Sequence, residues 1–136
     1  TDQEMTRFNI TLEESVEFVL KICEKSVGYE IFVPKIPSFK VVDLASAVKS
    51  TNKLKFIGIR PGEKIHESMI SEDDSYLTYE YKDYYKILPS IGGSILKKMI
   101  KNGKKVNNGF SYTSDKNNQW MSTSEVKSWI KKINKS

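Results

Sequence analysis

Arg60 and Glu63 are the residues of this sequence whose types and spacing best suit ligand chemistry. Pro61 and Gly62 stand between them and predict a tight type II turn, with proline fixing the first corner and glycine accepting the positive φ of the second. A guanidinium held at such a turn can fork onto a phosphate, and a nearby carboxylate can accept both hydroxyls of a ribose. The pair therefore predicts a nucleotide site, although many charged proline-glycine turns are only solvated connections.

Other residue types that carry chemistry are sparse. His66 is the one histidine and Cys23 the one cysteine of the sequence. Because no second histidine or paired cysteine accompanies them, we expect no metal site. His66 is interpreted as a surface or packing residue and Cys23 as a small core residue.

Length and composition predict one ordinary globular domain spanning residues 1–136. The chain is 38% hydrophobic and 29% charged, which is enough apolar material for one core. No run of eighteen apolar residues and no secretory leader is present, so we expect a cytoplasmic protein with no membrane association. Thr1 opens a polar, loop-like stretch without an initiator methionine, and we expect the chain to be a piece of a longer protein.

The formal net charge of +5 suits an anionic partner such as a nucleotide, a nucleic acid or a membrane surface. Five lysines cluster with apolar residues interleaved at helical spacing, namely Lys97, Lys98, Lys101, Lys104 and Lys105. No nucleic-acid-binding motif accompanies them, so we interpret them as the solvated face of a helix. A stand-alone basic module that binds nucleotides or nucleic acid stays open as an alternative.

Two helices have clear start signals. Thr11 with Glu14, and Ser122 with Glu125, both have the spacing of a capping box. The second of these helices has Val126 on its apolar face. The first has an apolar face that we expect to be buried, made of Leu12, Val16, Val19, Leu20 and Cys23.

Between these helices the patterns predict a mixed α/β arrangement. A β-rich run at 30–33, an amphipathic helix from Val41 to Val48 and an apolar run at 54–59 predict a βαβ unit with a right-handed crossover. The turn at Arg60 would then lie at the carboxyl end of the second strand, where ligands collect in open α/β sheets. The aromatic run from Tyr76 to Ile87 predicts a β-hairpin.

Several separate blocks of the sequence occur in the order and spacing of one enzyme family. They are Thr1-Asp2, Met5 to Phe8, Glu30 to Ser38, Ile57 to Lys64, His66-Glu67, Tyr112 with Ser114, and Asn117 to Trp120. Together they resemble the C-terminal portion of bacterial UDP-N-acetylglucosamine 4,6-dehydratases. More narrowly, they resemble the inverting type, which also epimerises the fifth carbon and opens the pseudaminic acid route of surface and flagellin glycosylation.

The resemblance implies an extended short-chain dehydrogenase/reductase, in which an N-terminal Rossmann domain precedes a small nucleotide-sugar lobe. It also implies NADP as cofactor and an internal redox cycle of oxidation to a 4-keto sugar, loss of water and hydride return. The family's glycine-rich fingerprint and acid–base block are absent from this chain. We therefore expect the chain alone to bind no NADP and to be inactive, while the full-length parent is a lyase.

One apparent catalytic pair is a coincidence of spacing. Tyr112 and Lys116 have the four-residue separation of the superfamily's catalytic tyrosine and lysine. That pair belongs on one face of a helix, whereas Tyr112 lies in a turn-like run of short polar residues. We assign no catalytic residue in this chain.

Substrate-binding roles are implied by the resemblance residue by residue. It assigns Arg60 to the diphosphate and Glu63 to the uridine ribose. Arg7 resembles an arginine near the diphosphate, with a backbone contact that pins a loop as its alternative role. The polar run that resembles the lining of the substrate pocket consists of Tyr112, Thr113, Ser114 and Asp115.

The expected partners are a UDP-sugar, the Rossmann domain and, in the parent, further copies of the same protein. A UDP-sugar epimerase or another reductase of the superfamily is the alternative enzyme. Because an exposed apolar border is expected where the Rossmann domain would lie, we place it at Met5, Phe8 and Ile10. The sequence does not separate a dehydratase from a dehydratase-epimerase.

Overall fold

The computed structural model describes residues 2–49, 53–90 and 94–133. In chain order the strands are β1 (Thr6–Phe8), β2 (Ile31–Pro34), β3 (Ser38–Lys40), β4 (Ser68–Ile70), β5 (Thr78–Glu80), β6 (Tyr84–Ile87), β7 (Lys104–Lys105) and β8 (Tyr112–Thr113). The helices are α1 (Leu12–Cys23), α2 (Val41–Val48), α3 (Ser94–Ile100) and α4 (Thr123–Ile133), with a 3-10 turn at Asp73–Leu77. The mixed α/β class predicted from the sequence is confirmed.

The predicted βαβ unit is wrong. Strand β2 pairs antiparallel with β6, and the described residues 53–60 form no strand. Gly58 has a φ of 76°, which breaks the extended run in the middle. A β-rich sequence becomes a strand only where a partner strand satisfies its backbone, and residues 54–59 have none in the described chain.

The described chain forms two compact units, each assembled from separate segments. The first consists of residues 1–9, 36–67 and 113–136. Here α2 packs on α4, and the two-stranded sheet of β1 and β3 contributes Phe39, whose ring centroid lies 6.2 Å from that of Trp129. Met5 and Val126 are almost completely buried and form the core of this unit.

The second unit consists of residues 10–35 and 68–112. Its centre is a four-stranded sheet in the order β2-β6-β5-β7, with all three pairings antiparallel. Strands β5 and β6 form the predicted hairpin, and the ring centroids of Tyr81 and Tyr84 stack 4.8 Å apart beside it. Strand β4 pairs with β8. The aromatic run is thus used for packing.

A buried ion pair lies on this sheet. The side chain of Lys86 on β6 is 5% exposed, that of Glu30 is fully buried, and Nζ of the lysine lies 3.6 Å from Oε1 of the carboxylate. The ammonium also donates to the carbonyl of Met99 at 2.9 Å and lies 4.8 Å from the centre of the Phe32 ring. Burial alone would raise the pKa of Glu30, but backbone N–H groups, among them that of Gly28 at 2.6 Å, and the charge of Lys86 outweigh it and lower that pKa.

Helix α1 begins as predicted. The Thr11 hydroxyl accepts from the backbone N–H of Glu14 at 3.1 Å, and the Glu14 carboxylate accepts from that of Thr11 at 2.8 Å, which completes the capping box.

Within the described chain, no helix is long and apolar enough to cross a membrane.

The apolar face of α1 is not buried in this chain, contrary to the prediction. Leu12 is 76% exposed, Leu20 is 64% exposed, and Cys23 is exposed rather than in the core. Side chains of this face line a shallow cleft of about 210 Å³, formed by Ser15, Val16, Val19 and Leu20. Apolar side chains are therefore exposed on this face, as they also are at Phe56 and Ile57, but not at Met5, which is 2% exposed. Phe8 and Ile10 are half-buried.

Replacing Leu20 with lysine should change the free energy of unfolding by less than about 0.5 kcal/mol, since the side chain is already exposed and lysine is a good helix former. The same change should lower the binding of a dye that reports exposed apolar surface. Chemical denaturation and dye fluorescence of the 136-residue chain measure the two effects. Met99→Ala is the matched control in the same unit, because Met99 is fully buried and its loss should cost about 2–5 kcal/mol. A comparable cost for Leu20→Lys would show that this face is covered in solution.

Candidate functional site

The turn at Arg60 has the predicted type II geometry. The backbone N–H of Glu63 donates to the carbonyl of Arg60 at 3.0 Å, which closes the four-residue turn, and Gly62 has a φ of 81°. In addition, the Glu63 carboxylate accepts from the backbone N–H of Arg60 at 3.1 Å. These two bonds hold the ends of the turn together, so Arg60 and Glu63 are neighbours in a stiff loop.

The side chains of this turn are available to a ligand. Arg60 is exposed, and within the described part of the chain its guanidinium makes no hydrogen bond or ion pair. Glu63 is half-buried and uses one carboxylate oxygen, Oε2, for the bond to Arg60. A guanidinium and a carboxylate oxygen are thereby left for phosphate and hydroxyl partners.

The residues that follow the turn are tied to β1. The carbonyl of Ile65 accepts from the backbone N–H of Thr6 at 3.0 Å and from Nη1 of Arg7 at 3.0 Å. Nη2 of Arg7 donates to the carbonyl of Lys64 at 2.9 Å. Arg7 thus makes the backbone contact that the sequence left as its alternative role, while its role near a diphosphate stays a prediction.

Ser114 lies at the centre of a second set of bonds. Its side chain is fully buried, its hydroxyl accepts from the backbone N–H of Glu67 at 2.9 Å, and its own N–H donates to the carbonyl of Glu67 at 2.9 Å. The Ser114 and Thr6 hydroxyls share a hydrogen bond of 2.7 Å, and Thr6 also bonds Nδ1 of His66 at 2.8 Å. His66 is half-buried and hydrogen-bonded to Thr6, which agrees with its interpretation as a packing residue.

The other predicted pocket residues have mixed surroundings. The Thr113 hydroxyl is buried without a well-formed hydrogen bond in the described chain, yet its proximity to Asp115 lowers the pKa of that carboxyl. Tyr112 is 5% exposed, and its ring centroid lies 5.1 Å from that of Tyr85. It lies on a strand, so Tyr112 and Lys116 do not share a helix face. A substrate role for these residues and for Ser114 stays a prediction.

Asn117 has a structural role. Its side-chain amide donates to the carbonyl of Ile36 at 2.8 Å and to the hydroxyl of Ser38 at 2.9 Å. Sequence reasoning missed Thr6 and gave Glu67 no role, although both hold the site segment. Neither stands in a pattern that distinguishes it from a solvated polar residue, because their partners are distant in sequence.

Comparison with known proteins places this architecture in one family. The family model described as "Polysaccharide biosynthesis protein" matches residues 1–89. UDP-N-acetylglucosamine 4,6-dehydratase (inverting) from Campylobacter jejuni is 51% identical over 132 residues, which are 93% of this chain and 40% of that enzyme. The resemblance found in the sequence blocks is therefore confirmed.

Two more relatives extend the comparison. UDP-glucose 4-epimerase from Rickettsia canadensis is 36% identical over 98% of this chain and 40% of its own. The X-ray structure of Pen from Bacillus thuringiensis matches 98% of this chain and 40% of its own, with a TM-score of 0.77 and 27% identity. The chain thus spans about 40% of the length of these relatives. On the evidence of the family model, it belongs to the polysaccharide biosynthesis protein family.

Proposed function

We propose that this chain is the UDP-sugar-binding part of a UDP-N-acetylglucosamine 4,6-dehydratase that also inverts the fifth carbon. The observation that carries the proposal is the closed type II turn with a free guanidinium at Arg60 and a carboxylate at Glu63. It occurs in a chain that is 51% identical to a relative with that name. Arg60 would bind the diphosphate and Glu63 the ribose, because a planar fork suits phosphate oxygens and a carboxylate suits vicinal hydroxyls.

The remaining predicted pocket residues complete the proposal. Asp115 would accept from sugar hydroxyls, since a carboxylate is ionised at neutral pH and offers only acceptor oxygens. Thr113 would contribute its hydroxyl, which lacks a well-formed partner in the described chain. Ser114 is buried and would support this segment, and the buried Tyr112 would have a packing role.

NADP does not fit the described residues. A dinucleotide pyrophosphate needs closely spaced glycines where a strand enters a helix. The described glycines with positive φ are Gly28, Gly58, Gly62 and Gly109, and none of them directly precedes a helix. We therefore place the cofactor, the acid–base groups and the lyase activity on a longer parent protein, which we propose to be cytoplasmic, homo-oligomeric and active in pseudaminic acid-type glycan synthesis.

The second candidate is a UDP-sugar 4-epimerase. The 36% identity to the Rickettsia canadensis protein over 98% of this chain favours it. The two functions differ in stoichiometry, because a dehydratase releases one water per sugar and an epimerase releases none.

Full-length protein supplied with NADP and UDP-N-acetylglucosamine should therefore yield a product lighter by one water, as measured by mass spectrometry. A product of unchanged mass would favour the epimerase, and absence of any product would reject both. The purified 136-residue chain is the control and should give no turnover, since we find no acid–base block in it. Turnover by that chain, verified free of full-length enzyme, would overturn this division of labour.

A further inference from the structure

The turn from Arg60 to Glu63 is held from one side only in the described chain. No backbone hydrogen bond joins residues 53–59 to another described segment. The residues after the turn, 64–67, are bonded to β1 and to Ser114. The position of Glu63, which directly precedes Lys64, therefore depends on how that segment is anchored.

Arg7 supplies the densest part of this anchor. Nη1 donates to the carbonyls of Thr6 at 2.6 Å and Ile65 at 3.0 Å. Nη2 donates to the carbonyl of Lys64 at 2.9 Å and to Sδ of Met5 at 3.2 Å. Four bonds equal the four N–H groups that these two nitrogens carry, so none is left for a phosphate.

Glu67 completes the anchor from the other end of the segment. Its Oε1 lies 3.6 Å from Nε of Arg7, and its Oε2 accepts from the backbone N–H of Phe8 at 3.0 Å. The Arg7 side chain is 24% exposed, which shields these bonds in part from water. A lysine could not reproduce the arrangement, because a single ammonium cannot span two successive carbonyls and a carboxylate in one plane.

We propose that Arg7 is a positioning residue for the nucleotide and not a ligand of the diphosphate. By holding the carbonyls of Lys64 and Ile65 it sets the place of Glu63, and through the turn that of Arg60. This inference rests on the proposed function. It predicts that a change at Arg7 weakens the binding of uridine and the binding of UDP equally, because the position of the whole turn depends on Arg7.

The test compares uridine with UDP, using calorimetry on the full-length protein. Arg7→Lys should weaken both ligands by the same factor, about tenfold, because a loosened site must be ordered again on binding. Arg60→Lys is the matched control and should weaken UDP while leaving uridine unchanged. If Arg7→Lys weakens UDP alone, or weakens neither ligand, the positioning role is wrong.

Amide hydrogen exchange without nucleotide gives an independent measurement. In Arg7→Lys the N–H of Glu63 should exchange faster, while that of Met121, which donates to Ser38 at 2.8 Å in the same unit, should be unchanged. Equal exchange at Glu63 in both proteins would overturn the proposal. If Arg7→Lys does not fold, Glu67→Gln, which keeps an acceptor for Phe8 but removes the charge facing Arg7, should show the same pattern. If the unaltered protein binds neither uridine nor UDP, the proposed function fails, and the exchange comparison still decides the role of Arg7.

Discussion

Arg60→Lys in the full-length protein should weaken the binding of UDP and of UDP-sugar by about 1–3 kcal/mol, the scale of a charged hydrogen bond. Lysine keeps the charge but cannot form the bidentate hydrogen bonds that a guanidinium makes to a phosphate. The loss should appear mainly in substrate affinity, because the diphosphate is not the part of the substrate that reacts. Calorimetry with UDP measures it directly.

Glu63→Gln is the companion variant for this site. Because the carboxylate is proposed to accept the ribose hydroxyls, Glu63→Gln should weaken UDP but leave a deoxyribose analogue nearly unchanged. If Arg60→Lys binds UDP as tightly as the unaltered protein, the loop is a solvated turn. The central assignment of the site then fails.

Breaking the buried ion pair should give a large loss of stability. Glu30→Gln and Lys86→Met should each lower the free energy of unfolding by about 3 kcal/mol, because each leaves one buried charge without its counter-ion. The side chains are 0% and 5% exposed, so water cannot replace the missing partner. Urea denaturation of the 136-residue chain measures both variants.

A double-mutant cycle separates the pair from its surroundings. Glu30→Gln combined with Lys86→Met should cost at least about 1 kcal/mol less than the two single losses together, because neither charge is then left unpaired. Glu80→Gln is the control in the more exposed pair with Lys35, where the loss should stay within about 1 kcal/mol. Additive losses at Glu30 and Lys86 would show that the pair makes no coupled contribution.

The ion pair between Glu30 and Lys86 makes the free energy of unfolding depend on pH. The pKa of Glu30 is lowered below its ordinary value of 4.5 in the folded chain. Its contribution is therefore fully present above that value and is lost as the pH falls through the lower folded pKa. Lys86→Met should reduce this loss, because the charge of Lys86 is one of the interactions that lower the pKa.

Features that depend on neighbouring residues were predictable. The capping boxes at Thr11 and at Ser122 and the turn between Arg60 and Glu63 all form as their local spacing indicates. Each is closed by bonds between residues three apart, so residue type and backbone preference decide it without help from the rest of the chain. The sequence blocks likewise indicated the resemblance to UDP-N-acetylglucosamine 4,6-dehydratases, which the 51% identity to the Campylobacter jejuni enzyme confirms.

Features that depend on residues distant in the sequence were not predictable. Residues 54–59 have the composition of a strand, but a strand needs a second backbone beside it, and the described chain provides none. The apolar face of α1 has the periodicity of a buried helix, but periodicity shows only which side is apolar and not whether anything covers it.

The sequence by itself determined the local geometry of the Arg60 turn and the family to which the chain belongs, because both are written in short, contiguous patterns. Only the tertiary structure decided which residues hold that turn in place. Arg7 is hydrogen-bonded to Lys64 and Ile65, which lie 57 and 58 residues further along the chain. Ser114 is hydrogen-bonded to Glu67, which lies 47 residues earlier. Hydrogen bonds across such separations follow from how the chain packs, and no spacing within a motif encodes them.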